Sequence, residues 1–109
     1  MISWQDFEKI DIRCGTVIEV KDFTHAKKPA FQLTIDFGNA GIKRSSAQIT
    51  HRYLKEELLN TQVVAVMNFP VKQIANFFSE CLVLGVYDDN NNVVLLQPER
   101  KVANGMKVG

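Results

Sequence analysis

A chain of 109 residues has the length of one domain, and its composition, 46% hydrophobic and 23% charged, is ordinary globular usage that excludes a disordered tail, a fibrous repeat or a string of domains. No apolar run reaches the ~18 residues of a membrane-spanning helix. The opening Met1-Ile2-Ser3-Trp4-Gln5-Asp6 lacks the basic start and long apolar stretch of a secretory leader, so the expected location is the cytoplasm, without membrane insertion.

Ser3 with Asp6 is a capping pattern, and it predicts a short N-terminal helix carrying Trp4 and Phe7 on one face, expected to plug an apolar surface. Six segments then read as strands: 13–20, 30–37, 42–49, 63–67, 81–87 and 93–97. In the second, Phe31, Leu33, Ile35 and Phe37 alternate with Ala30, Gln32, Thr34 and Asp36, the period of a sheet buried on one face. Gly38-Asn39-Ala40-Gly41 and Asp89-Asn90-Asn91-Asn92 read as hairpin turns. Between the third and fourth strands, Tyr53, Leu54, Leu58 and Leu59 fall at helical spacing, which predicts a helix within 50–60. Three strands, a helix and further strands is the order of the OB-fold; a mixed sheet with one packed helix gives the same local pattern.

The chain holds no phosphate-binding glycine loop, no CxxC and no HExxH. His25 and His51 have no sequence neighbour suggesting a ligand or catalytic partner, and both read as surface residues. Cys14 and Cys81 each sit in an apolar, strand-like segment, as small buried thiols do in a reducing compartment. The chain therefore reads as a binding protein rather than an enzyme, with no catalytic residues, cofactor or metal.

Charge distribution says more than the net +1. From Phe23 to Lys55, six bases (Lys27, Lys28, Lys43, Arg44, Arg52 and Lys55) stand against one acid, Asp36, a formal excess of +5. Strand alternation puts Arg44, Ser46 and Gln48 on one face of 42–49, a row suited to phosphate, a base edge or an extended peptide backbone, or to the solvated face of an edge strand. Pro70 ends the fourth strand, and the loop to Ser79 is expected to cap a barrel mouth where Lys27, Lys28, Arg44 and Lys72 converge. Phe77 and Phe78 lie in that loop, and adjacent rings on an extended chain cannot both enter one core, so at least one is expected outside, available for stacking.

Asp11-Ile12-Arg13-Cys14-Gly15, Ile35-Asp36-Phe37-Gly38, Asn68-Phe69-Pro70 and Ser79-Glu80-Cys81-Leu82-Val83-Leu84-Gly85 follow in order and spacing that resemble the small tRNA-binding domain found alone in some bacteria and at the C-terminus of many methionyl-tRNA synthetases. The resemblance covers nearly the whole chain. It implies one domain over 1–109, all-β with short helices: a five-stranded Greek-key OB barrel with an N-terminal helix and extra C-terminal strands. It also implies tRNA as partner, and adds Asn68, Phe69, Ser79 and Glu80 to a pocket with Ser46 and Gln48. Cys81-Leu82 stands where Gly-Met is usual, and Asn76 where glycine is, so Asn76 is expected to hold a left-handed backbone. The first departure points to the stand-alone branch, described as homodimeric chaperones of protein export. The expectation is a homodimeric tRNA binder with export-chaperone activity, or a peptide-binding chaperone that uses the same pocket.

Overall fold

The computed structural model describes every residue from Met1 to Gly109. A short helix α1 (Trp4–Glu8) is followed by β1 (Ile12–Asp22), β2 (Phe31–Asp36), β3 (Ile42–Ala47), a one-turn helix α2 (Lys55–Leu58) and β4 (Gln62–Val66). Five short strands complete the chain: β5 (Lys72–Ile74), β6 (Phe77–Ser79), β7 (Leu82–Val83), β8 (Gly85–Tyr87) and β9 (Val93–Leu95).

The main sheet has five antiparallel strands in the order β3-β2-β1-β4-β7 and is nearly closed into a barrel, an OB-like arrangement as the strand order predicts. Strand β1 makes the closure possible because it is long enough to serve two partners. Its first part, Ile12 to Thr16, pairs with β4, and from Thr16 to Asp22 it pairs with β2 across a bulge between Val17 and Glu19 that bends the strand. Gly15 lies where the sheet folds over the core, and a Cβ there would sit 2.6 Å from the Phe37 ring. Alternation along β2 buries Phe31, Leu33 and Ile35, and with Val17, Phe37, Leu58, Val63 and Ala65 they form the barrel core.

The open seam between β3 and β7 is closed largely by side chains. The Glu80 carboxylate accepts from the Arg44 N–H (3.0 Å), the Glu80 N–H donates to the Arg44 carbonyl (2.8 Å), and the Ser79 hydroxyl accepts from the Ser46 N–H (3.1 Å). Beneath them the Ser45 hydroxyl donates to the Cys81 carbonyl at 2.9 Å. Ser79 and Glu80 thus stand in for main-chain partners that the edge of β3 would otherwise lack.

Four sequence expectations change. The helix expected within 50–60 is a single turn, because the chain before it is extended at Leu54 and Asn60 turns left-handed (φ 67°) just after it. The strand expected at 81–87 splits at Leu84, since β7 pairs with β4 while β8 pairs with β9. The loop after Pro70 contains the β5–β6 hairpin, and its left-handed residue is Ala75 (φ 53°) rather than Asn76. Helix α1 is capped as read, with Ser3 and Asp6 bonding reciprocally, but it plugs nothing within this chain: Trp4 is 81% exposed. Beyond β9 the chain returns along β1, where Gly105 N–H donates to Cys14 O (2.7 Å), Cys14 N–H to Met106 O (2.9 Å) and Val108 N–H to Ile12 O (2.8 Å). No helix is long and apolar enough to cross a membrane.

Candidate nucleic-acid interface

The loop joining β1 to β2 and the β5–β6 hairpin lean over the outer face of β3 and enclose a cleft of about 610 Å³. Lys27 and Lys28 stand on one wall and Lys72 on the other, with Ser46 and Gln48 between them. No carboxylate lines this cleft, and none of the three lysines makes an ion pair. Uncompensated like charges around one concavity raise its potential and attract a polyanion. Both walls rest on one apolar cluster, in which Phe23 and Ala30 from the β1–β2 loop pack with Phe77 from β6. The Phe23 and Phe77 rings are tilted, with centroids 5.3 Å apart.

Arg44 is set beside this cluster. Its guanidinium carbon lies 4.3 Å from the centroid of the Phe77 ring, one N–H donates to Gln32 at 3.4 Å, and Glu80 holds its backbone from both sides. A guanidinium has five N–H donors, and no carboxylate pairs with this one, so most of its donors face solvent ready for a phosphate. Phe77 is 2% exposed, which makes it the support of Arg44 and not a surface on which a base can stack. Phe78 projects from the opposite face of the hairpin beside Gln73 and is 52% exposed, so the neighbouring rings divide as strand alternation requires.

A second hollow of about 280 Å³ adjoins the first through Lys72 and is lined by Phe69, Pro70, Ser79, Glu80, Cys81 and Leu82. Lys43 is not part of either: alternation turns it to the same side as Ser45 and Ala47, away from Arg44, Ser46 and Gln48. Asn68 is spent on structure. Its carbonyl accepts from the Asp11 N–H (2.9 Å) and its amide donates to the Lys9 carbonyl (2.7 Å), pinning the exit of α1 to the end of β4. Of the other bases in the positive segment, Lys55 pairs with Asp22 at 2.9 Å and Arg52 with Asp88 at 2.7 Å. His25, Ala26, Ala30, Gln73, Ile74 and Ala75 complete the larger cleft and were missed in the sequence. Two short apolar-bearing runs around the two-residue turn Ala75-Asn76 were the available signal for the hairpin that brings them there.

Cys14 and Cys81 are buried and unpaired, as the sequence predicts. Burial pushes the Cys81 thiol up to about 12, with the Glu80 carboxylate adding to the shift, and burial also raises Cys14. Both stay protonated at neutral pH, so neither is a nucleophile there. No group of three or more His, Cys, Asp or Glu side chains is placed to hold a metal ion.

Residues 12–107 match the family described as the putative tRNA binding domain. The chain belongs to that family. It is 36% identical to the methionine–tRNA ligase of Pyrococcus horikoshii over 107 residues, which are 98% of this chain and 14% of the ligase. The chain thus spans about one-seventh of that relative's length. Among solved structures it is similar to the CsaA chaperone protein of Picrophilus torridus, at 53% identity and a TM-score of 0.93 over 100% of both chains. It is similar also to chaperone CsaA of Bacillus anthracis str. Ames, at 50% identity and a TM-score of 0.94 over 100% of this chain and 99% of that one. The family match and the two CsaA structures thus cover the same barrel.

Proposed function

We propose that this tRNA-binding-domain protein is a non-enzymatic, CsaA-type binder of tRNA that holds the RNA backbone in the cleft between Lys27, Lys28 and Lys72, with Arg44 beside it. The observation that carries the reading is the carboxylate-free basic concavity over β3. Phosphate contacts release counterions, so affinity falls with salt. About three contacts give a log–log salt slope of roughly −2 to −3, and about twice that when two subunits engage one RNA. Titration of bulk tRNA at low and moderate salt tests this, and no binding at low salt overturns it. A tRNA partner and two free thiols fit the cytoplasm.

A second reading has its own observation. The hollow beneath Phe69 and Leu82 has a largely apolar lining, and the similar CsaA structures are described as chaperones, so capture of an apolar side chain from an unfolded or export-bound polypeptide fits there. Such capture holds or strengthens with salt while phosphate contacts weaken.

The protein acts in this reading as a homodimer. Ile2 is 77% and Trp4 81% exposed, and with Phe7 and the terminal Gly109 they surround an apolar hollow of about 540 Å³. An exposed apolar area of this kind marks a protein contact. A two-fold pairing that covers it is expected to bury on the order of 1,600 Å² or more. Sedimentation checks it: a dimer at micromolar concentration is expected, and Trp4→Asp shifts it to monomer.

A further inference from the structure

The basic cleft does not end at Gln48. Lys28 and Gln48 are also walls of a smaller cleft of about 260 Å³, completed chiefly by His51 and Arg52 after β3 and by Asn92 of the β8–β9 hairpin. We propose that the two clefts form one continuous track for a single strand of RNA. The strand enters over Lys72 and Lys27, crosses β3 at Lys28 and Gln48, and leaves past His51 and Arg52. This deepens the tRNA reading and rests on it, since it names the form of RNA that the same face takes.

Three observations carry it. The clefts share two walls, Lys28 and Gln48, so they lie side by side along β3 and a chain leaving one meets the other next. Neither is lined by a carboxylate. The polar hollow lined by Thr16, Gln62 and Arg100, by contrast, has the Glu99 carboxylate in its own lining. Arg52 in the track is anchored, because its Nη1 donates to the Asp88 carboxylate, which itself accepts from the Asn90 and Asn92 N–H groups at 2.8 and 2.9 Å. These contacts hold Asp88 ionised, its pKa lowered first by the Asn92 N–H, and they fix the guanidinium while leaving its other N–H donors for a phosphate.

The lining also bears on how the strand would be held. No Phe, Tyr or Trp lines either cleft, so bases find no aromatic platform, and recognition runs through phosphates and sugar hydroxyls met by lysine, arginine and the Ser46, Gln48 and Asn92 polar groups. Walls rise on both sides of β3, from the β1–β2 loop and the two hairpins, and the occupant proposed between them is one backbone rather than a duplex. Readout of this kind tolerates sequence.

The experiment measures binding of ribouridine oligomers to the whole protein by fluorescence anisotropy across salt, comparing a trinucleotide, a nonanucleotide, a blunt RNA duplex and an acidic peptide. The nonanucleotide is expected to bind more tightly than the trinucleotide and with a steeper salt dependence. His51→Glu, at an exposed side chain that makes no hydrogen bond, should flatten the nonanucleotide slope by about 0.7, the share of one single-strand phosphate, and leave the trinucleotide unchanged. Arg52→Ala should do the same, with Arg52→Lys retaining binding as a control for the lost Asp88 pair. Lys27→Ala and Lys72→Ala should weaken both oligomers. If lengthening the oligomer gains nothing, or both His51→Glu and Arg52→Ala are silent, the track stops at Gln48 and is overturned, while the tRNA reading survives in the larger cleft. Preference for the duplex or for the acidic peptide overturns the single-strand assignment. Failure of every oligomer and of tRNA at low salt overturns the tRNA reading itself.

Discussion

Two apolar clusters divide this molecule. Eleven buried residues, among them Leu33, Ile35, Phe37 and Val63, fill the barrel, whereas three, Phe23, Ala30 and Phe77, fill the space under the β1–β2 loop and the β5–β6 hairpin. The first cluster joins strands already laddered by main-chain hydrogen bonds, including β1 and β4, which are distant in sequence. The second joins two connections and has little else beneath it, yet it sets the distance between Lys27 and Lys72 and carries Arg44 on the Phe77 ring. Stability therefore belongs mainly to one cluster and site geometry to the other, and substitutions in each should separate the two properties.

The largest effect is expected at Phe37→Ala, which empties a fully buried ring position at the barrel's end and removes about 3–5 kcal/mol of stability by lost burial plus cavity. Chemical denaturation reads the loss. The tRNA affinity of the fraction that remains folded should be unchanged, and a large fall in it would erase the division.

A pH titration tests the seam where the barrel core meets the site. The Cys81 thiol, raised from 9.0 to about 12 mainly by burial, is easier to ionise in the unfolded chain than in the fold. Stability from this group is full well below pH 9 and declines as pH rises toward 12, by on the order of 1 kcal/mol around pH 10. Cys81→Ala should remove that part of the alkaline decline. At neutral pH both Cys81 and Cys14 should resist alkylation until the protein unfolds.

The sequence made the barrel legible and the hairpin illegible for one physical reason. Alternation in β2 and β3 reports burial on one face over six residues each, enough to predict the core and to place Arg44, Ser46 and Gln48 outward. Strands β5 and β6 are three residues each, too short for a period to show, so Phe77 and Phe78 were legible only as a pair that must divide and not as support and surface. The positive segment lies partly around the cleft, but pairing across the fold was invisible: Lys55 finds Asp22, Arg52 finds Asp88 while keeping other donors free, and Lys43 lies on the opposite side of its strand from Arg44. Asn68 enters the pocket only through the family resemblance, and its two hydrogen bonds to residues more than fifty positions away, which tie α1 to β4, have no local signal in the sequence.

Phe77→Leu probes the smaller cluster with little change in volume. The cost to global stability should be about 1 kcal/mol, since leucine keeps most of the buried apolar volume while losing the ring. Loss of the ring under Arg44 is expected to free the guanidinium and flatten the log–log salt slope of tRNA binding by about one phosphate contact, the same change as Arg44→Ala. Equal slopes for wild type and Phe77→Leu would show that Arg44 needs no support and would weaken the contrast with Phe37.

The smallest expected effect lies at the hairpin tip, where the contrast is sharpest. Ala75 has φ of 53° at the rim of the cleft, a conformation in which its Cβ crowds the following carbonyl at a cost of about 1–2 kcal/mol. Ala75→Gly relieves that crowding but gives the unfolded chain more freedom, which takes back about 0.5–1 kcal/mol. The net is a gain of about 0.5 kcal/mol in whatever unit the hairpin unfolds with. If the hairpin opens separately, as its three-residue cluster implies, the gain should appear in hydrogen exchange of the Ile74 and Phe77 amides and leave the global melting temperature almost unmoved. A rise in melting temperature of about 2–4 °C instead would mean that hairpin and barrel melt as one, and that the two clusters are a single cooperative core.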